Sequence, residues 1–279
     1  RGAHSAAVTC LAFAADSTQL VSGSFDSTAR LHGLRSARTL LVFRGHSSVV
    51  NAVAFVRGGT WLATASSDTT VRLWDARTAQ CLRALHTNQL AAGAAALLDT
   101  SHARGVRAAA EALAQAGRAP EGSSPGALLV RAMPGDQDTL LVGLRAPAAC
   151  LVDLGSGKVT RVFAVPDSAA AAAATAAAVD ARAAETGAAQ AAAVAAEGTG
   201  ARKNDLVAWG TSPSGRVVYC ATEGGVLHCF DARTGAHESA VQVVASSEGA
   251  LIGAAVRPDA CGVAAWTASG TIKLWAAPH

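Results

Sequence analysis

Aromatic residues are scarce in this chain. Phe, Trp and Tyr together make 4% of 279 residues, with one Tyr and one Met. Charge is thin as well, at 15%, and Lys is nearly missing, 3 against 20 Arg. The formal net charge of +3 is too small, and the Arg residues are too scattered, to point to nucleic acid. No stretch of 18 strongly apolar residues exists, and the Ala run 169–178 is too short and too weakly apolar to span a bilayer. No basic-then-apolar leader opens the chain, so nothing argues for secretion. The six Cys, at 10, 81, 150, 220, 229 and 261, form no CxxC pair and lie within or beside apolar runs. That pattern predicts small buried side chains in a reducing compartment, not metal ligands. What abounds is Ala, 69 residues, which supplies much of the 51% hydrophobic content. Val, Leu and Ile nonetheless recur in short runs throughout, which excludes a wholly disordered chain.

A repeat organises the first third. Shifted by 42 residues, 4–40 land on 46–82: His4 on His46, Phe13 on Phe55, Leu20 on Leu62, Ser24 on Ser66, Asp26 on Asp68, Thr28 on Thr70 and Arg30 on Arg72. The second copy reads Gly45-His46, then runs at Val50 to Phe55, Trp61 to Ser66, Val71 to Asp75 and Cys81 to Leu85. Turn residues bound each run. Four short antiparallel strands in about 42 residues is the arithmetic of one β-propeller blade. The Gly-His start and Trp-Asp end mark it as a WD40 repeat. Three weaker blades follow, with Val152, Phe230 and Trp275 in the Trp position and Gly224 and Ser269 in the Asp position of the last two. The expected fold class is all-β, a WD40 β-propeller of five four-stranded blades at about 4–44, 45–89, 90–165, 204–245 and 246–279. Only three residues precede His4 and four follow Trp275, so the fifth blade lacks an outer strand from either end. The expectation is an incomplete seven-blade ring; the alternative is a closed five-blade ring without the lacing strand. Two Ala-rich insertions, 99–126 and 166–203, interrupt the series. A short helix is expected at Val106 to Ala116, ended by Gly117. Pro166-Asp167-Ser168 could start another, but no stripe of large residues exists to dock it.

In such blades a His between blades, a hydroxyl on the second strand, an Asp in the next turn and a Trp on the third strand form a hydrogen-bonded chain. These are His46, Thr64, Asp68 and Trp74 here. The first blade offers His4, Ser22 and Asp26, with His32 in the Trp place. The residue before each turn Asp, Phe25 and Ser67, lies on one face of the ring and is a candidate partner contact. Catalytic motifs are few. Gly122-Ser123-Ser124-Pro125-Gly126 matches G-x-S-x-G but sits in a Pro-rich insertion without its strand and helix. Gly155-Ser156-Gly157-Lys158 lacks the upstream Gly of a phosphate loop and reads as a hairpin turn. His46, Thr64 and Asp68 match a triad in composition only. No enzyme activity, cofactor or metal is expected.

The string Ser24-Phe25-Asp26-Ser27-Thr28-Ala29-Arg30-Leu31-His32-Gly33-Leu34, with His-Gly-Leu replacing Trp-Asp, continues to Thr39-Leu40 and Phe43-Arg44-Gly45-His46-Ser47-Ser48. It resembles the SMU family (suppressor of mec and unc) of WD40 splicing factors. Further matches are Ser212-Pro213, Gly215, Tyr219-Cys220, Glu223, Leu227, Cys229-Phe230, Thr234-Gly235 and Lys273-Leu274-Trp275. The family carries a LisH-type helical region and seven WD40 repeats, of which this chain would match the last five. The resemblance implies a nuclear scaffold of the precatalytic spliceosome, acting with the RED protein in activation and splice-site choice. The family's RED-binding segment lies in the helical part, so these residues are not expected to hold RED by that route. One departure points elsewhere: Trp74-Asp75-Ala76-Arg77 fits the W-D-x-R box of substrate receptors for cullin-type ubiquitin ligases, with Arg77 as the adaptor contact. Phe230-Asp231-Ala232-Arg233 is a degenerate second copy. No direct RNA contact or membrane association is indicated.

Overall fold

Period-two alternation with β-branched residues builds strands, and Gly, Ser, Asp and Thr clusters turn them back. The computed structural model describes residues 4–101, 106–118, 127–144, 146–166, 206–244, 249–256 and 262–276. Two compact units emerge, Arg1–Thr100 with Glu111–Val162, and Ser101–Ala110 with Phe163–His279.

In the first unit, β1 (Val8–Phe13), β2 (Gln19–Ser24), β3 (Ala29–Gly33) and β4 (Arg38–Phe43) form blade 1 in chain order. Blade 2 follows as β5 (Val50–Val56), β6 (Trp61–Ser66), β7 (Thr70–Asp75) and β8 (Cys81–His86). Helices α1 (Thr87–Ser101) and α2 (Arg107–Arg118) come next. Blade 3 is β9 (Ala127–Met133), β10 (Asp136–Leu144), β11 (Ala148–Asp153) and β12 (Val159–Ala164). The inner strands β1, β5 and β9 pack in succession. Between blades 1 and 2 the core joins Val21, Leu31 and Phe43 to Val50, Val53, Leu62 and Trp74. Phe43 meets Trp74 edge to face at 5.8 Å and 65°. Each such fully buried side chain contributes about 1.5–3 kcal/mol.

The second unit holds blade 4, with β13 (Leu206–Thr211), β14 (Val217–Thr222), β15 (Val226–Asp231) and β16 (His237–Gln242). It also holds blade 5, with β17 (Leu251–Val256), β18 (Gly262–Thr267) and β19 (Ile272–Ala276). Leu227, Val243 and Val244 pack with Leu251, Ala254 and Ala265 between them. Among the described residues blade 5 has three strands, and its outer one leaves Ile272 and Leu274 exposed by 71% and 78%. At the same register positions of blade 2, Val71 and Leu73 are completely buried.

The first insertion differs from expectation. Helix begins at Thr87, well before residue 99, and the innermost strand of blade 3 is Ala127–Met133, after the insertion. The reason is packing. α1 buries Leu90, Ala91, Ala94 and Ala95, a stripe at helical spacing made mostly of small residues. α2 runs from Arg107 to Arg118, beside the expected Val106 to Ala116. A Cβ on Gly117 would come within 2.9 Å of the Ala92 backbone, so the helices cross where neither carries a side chain of any size. The helix expected to start at Pro166-Asp167-Ser168, the Ala-rich stretch behind it and the Gly122 to Gly126 motif lie outside the described residues.

Candidate functional site

Trp74 fixes the direction of the blade 2 network, because an indole N–H only donates. Trp74 Nε1 donates to Thr64 Oγ1 at 2.8 Å. The Thr64 hydroxyl donates to His46 Nε2 at 2.6 Å, and His46 Nδ1–H donates to Asp68 Oδ2 at 2.7 Å. Asp68 also accepts from the Ser47 amide at 3.1 Å and from Thr70 Oγ1 at 2.6 Å. Burial alone would raise the Asp68 carboxyl. Hydrogen bonds from His46, Thr70 and Ser47 outweigh it and hold the group well below the ordinary carboxylate range.

Blade 1 makes the same chain with a different last member. His4 Nδ1 donates to Asp26 Oδ2 at 2.9 Å, and Ser22 Oγ lies 2.8 Å from both His4 Nε2 and His32 Nε2. With His4 protonated at Nδ1, its Nε2 accepts the Ser22 hydroxyl. Ser22 then accepts from His32 Nε2–H. His32 Nδ1 is left to accept from Thr39 Oγ1 at 3.2 Å. One tautomer set thus satisfies five groups, and His32 replaces the Trp as a ring N–H donor. Burial, then the proximity of His4 and Arg30, hold His32 below the ordinary imidazole value.

Among the described residues the polar chain is replaced in blades 3 and 4. Strand register puts Val142 and Val152 of blade 3, and Cys220 and Phe230 of blade 4, in the places of Thr64 and Trp74. Ala265 takes the Thr64 place in blade 5. At these two positions of blades 3 and 4 both partners are replaced together, so neither place keeps a ring N–H donor that lacks its hydroxyl. The turn backbone follows suit. Ser27 and Thr69 hold φ of 63° and 67° in the Asp-bearing turns, while the same place in blades 4 and 5 is Gly225 (82°) and Gly270 (84°). The Asp carboxylate holds a strained left-handed residue where it is present; glycine removes the strain where it is not.

Phe25 and Ser67 occupy matching turns at one end of neighbouring blades. Their amides are pinned to Ala7 and Val49 carbonyls at 2.9 and 3.0 Å. Phe25 is 57% exposed, and Ser67 is exposed with its hydroxyl 3.0 Å from Asn51 Nδ2. Arg77 is not brought to them. It lies in the β7–β8 turn at the opposite strand end, where Asp75 Oδ1 caps the Arg77 and Thr78 amides at 2.8 Å each. Gly155 to Lys158 form the β11–β12 turn, with the Ser156 amide on Asp153 at 2.6 Å.

Sequence reasoning missed the inter-blade latches. The inner strand of each of blades 1, 2, 4 and 5 carries an irregular register near its start, at Val8/Cys10, Val50/Ala52, Leu206/Ala208 and Leu251/Gly253. The extra residue is re-aimed by such a bulge. Thr9 Oγ1 donates to the Val50 carbonyl of blade 2, and Asn51 Nδ2 donates to the Ala127 carbonyl of blade 3 at 2.9 Å. Thr9 and Asn51 are 42 apart, so the repeat itself held the signal. Arg57 was missed too. It pairs with Asp138 at 2.7 Å and lies 4.0 Å over the Trp61 ring.

Among the described residues no cluster of three His, Cys, Asp or Glu could hold a metal ion, and no helix is long and apolar enough to cross a membrane. The sheets and the turn networks define a β-propeller of the WD40 type, a fold whose members typically serve as protein-interaction scaffolds. Residues 2–32 and 37–75 match the WD domain, G-beta repeat model. The whole chain superposes on 68% of the β-propeller domain of Cps50 (Swd1) from Myceliophteria thermophila, with a TM-score of 0.64 and 16% identity, a likeness of fold. A search of curated proteins found no match.

Proposed function

We propose that this scaffold serves pre-mRNA splicing in the nucleus, as a component that helps activate the precatalytic complex and choose splice sites. The observation that carries the reading is His32. Most residues shared with the SMU family are blade grammar: Gly215 and Gly235 turn the chain with φ of 69° and 78°, and Ser212 takes the Val217 amide at 3.1 Å. Any blade needs such residues. A His in the Trp place, with Thr39 set to satisfy its second nitrogen, is not needed by a blade, since Trp74 does the same work next door. The likeness in Ser24 to Leu34 is therefore the informative one. Phe25, on its pinned turn, is the proposed anchor for a protein partner, with Ser67 beside it on the next blade.

The test is affinity purification of the tagged chain from nuclear extract with quantitative mass spectrometry. Enrichment of spliceosomal precursor proteins is the expected result; their absence, with the chain folded, overturns the reading. A second reading, substrate receptor of a cullin-type ubiquitin ligase, is favoured by exposed Arg77 on a turn held rigid by Asp75. It requires an adaptor propeller among the captured proteins, lost on Arg77→Ala.

A further inference from the structure

We propose that blade 4 carries an acid-sensitive latch: His228 on β15 and His237 on β16 tie these strands ring to ring, and protonating both rings opens the outer half of the blade.

His228 Nδ1 lies 3.1 Å from His237 Nε2, with ring centroids 5.3 Å apart. His228 is buried, and the edge of His237 meets Phe230 at 5.3 Å and 71°. A neutral imidazole has one N–H and one lone pair, so one ring donates and the other accepts. One added proton is compatible with that bond. A second sets N–H against N–H between two cations in an apolar place, and the bond is lost.

Among the described residues of this unit, the groups on β13, β14, β16 and β17 do not offset the charge. On β14 Cys220 stands opposite His228, and burial, together with Cys229, pushes its thiol well up, so it stays neutral. Glu238 follows His237, and strand alternation sends it to the other face, where it acts on Cys229. β13 and β17 carry no ionisable side chain. Blade 1 provides the contrast. Its histidine chain ends on a carboxylate, with Asp26 Oδ2 2.9 Å from His4 Nδ1. Burial, then His237, lowers His228 to about 4 from 6.5, and burial lowers His237. A folded-state value below the unfolded one means stability is full above about 6.5 and declines as pH falls toward about 4.

Hydrogen exchange of the full chain, corrected for intrinsic rates and read between pH 7.5 and 5, tests this. Protection over 226–242 is expected to fall at least about tenfold more than protection over 61–86. His228→Leu is expected to abolish that difference. Should that variant not fold, His237→Phe is expected to halve it at least. Equal losses in the two segments, or an undiminished difference in whichever variant folds, overturns the proposal.

Discussion

Thr64→Val removes one hydroxyl from the middle of the blade 2 network and almost nothing else, because the two side chains have nearly the same shape. Thr64 is completely buried, and its oxygen serves two neighbours, accepting from Trp74 Nε1 and donating to His46 Nε2. The substitution strands a buried donor and a buried acceptor, each at about 1–3 kcal/mol. The two share one partner, so the expected total is about 2–4 kcal/mol rather than the full sum. For a chain of this size each kcal/mol shifts the midpoint by about 2–4 °C, which puts the expected drop at about 4–16 °C. Urea unfolding of the purified wild type, Thr64→Val, Trp74→Phe and the double variant gives the cycle. The double variant has no stranded indole donor, as blade 4 has none with Cys220 and Phe230 in those places. It is therefore expected to be more stable than the sum of the single losses implies, by at least about 1 kcal/mol. A loss below about 0.5 kcal/mol for Thr64→Val, or strict additivity, refutes the claim that this chain holds the blade.

Three further outcomes follow from other parts of the networks. Asp68→Asn is expected to flatten the acid limb of stability: the carboxylate's folded value is depressed, so its contribution is full above about pH 4 and is lost as pH falls below that. An unchanged slope between pH 4.5 and 2.5 in denaturant titrations contradicts it. Asn51→Ala removes the bond to the Ala127 carbonyl and is expected to cost about 1 kcal/mol by urea unfolding, whereas the exposed Gln80→Ala is expected to stay within about 0.5. Ser27→Gly relieves a left-handed non-glycine turn and is expected to raise the midpoint slightly in a thermal scan, by the equivalent of about 1 kcal/mol at most; a fall shows that the turn carries no strain.

The legible parts of this fold are those where the 42-residue repeat makes neighbouring residues speak for one another. His46, Thr64, Asp68 and Trp74 stood out because each has a fixed place in a blade, and His32 stood out as the exception to it. Where register alone determines position, as with Val142 for Thr64, the substitution became visible only once the strands were paired. The α1 helix escaped because its buried stripe is Leu90 with three alanines, which carries little periodic signal. The innermost strand Ala127–Met133 escaped because it follows an insertion and belongs to no repeat copy. His228 and His237 sit in separate runs, and only the β15–β16 ladder makes them neighbours. The bulge latches required knowing that Thr9 and Asn51 point out of an otherwise apolar strand.

The central claim is that rigid turns present side chains to a protein partner, with Phe25 as the anchor. Phe25→Ser tests it most directly, because the side chain is exposed and its turn is held by backbone bonds to Ala7 and by the Asp26 carboxylate. The measurement is partner recovery from nuclear extract by quantitative mass spectrometry, paired with thermal unfolding of the same preparation. The account expects the midpoint to stay within about 2 °C while recovery of the bound partner falls at least about tenfold, as loss of an aromatic anchor worth 1.4 kcal/mol or more requires. Unchanged recovery with the fold intact contradicts it.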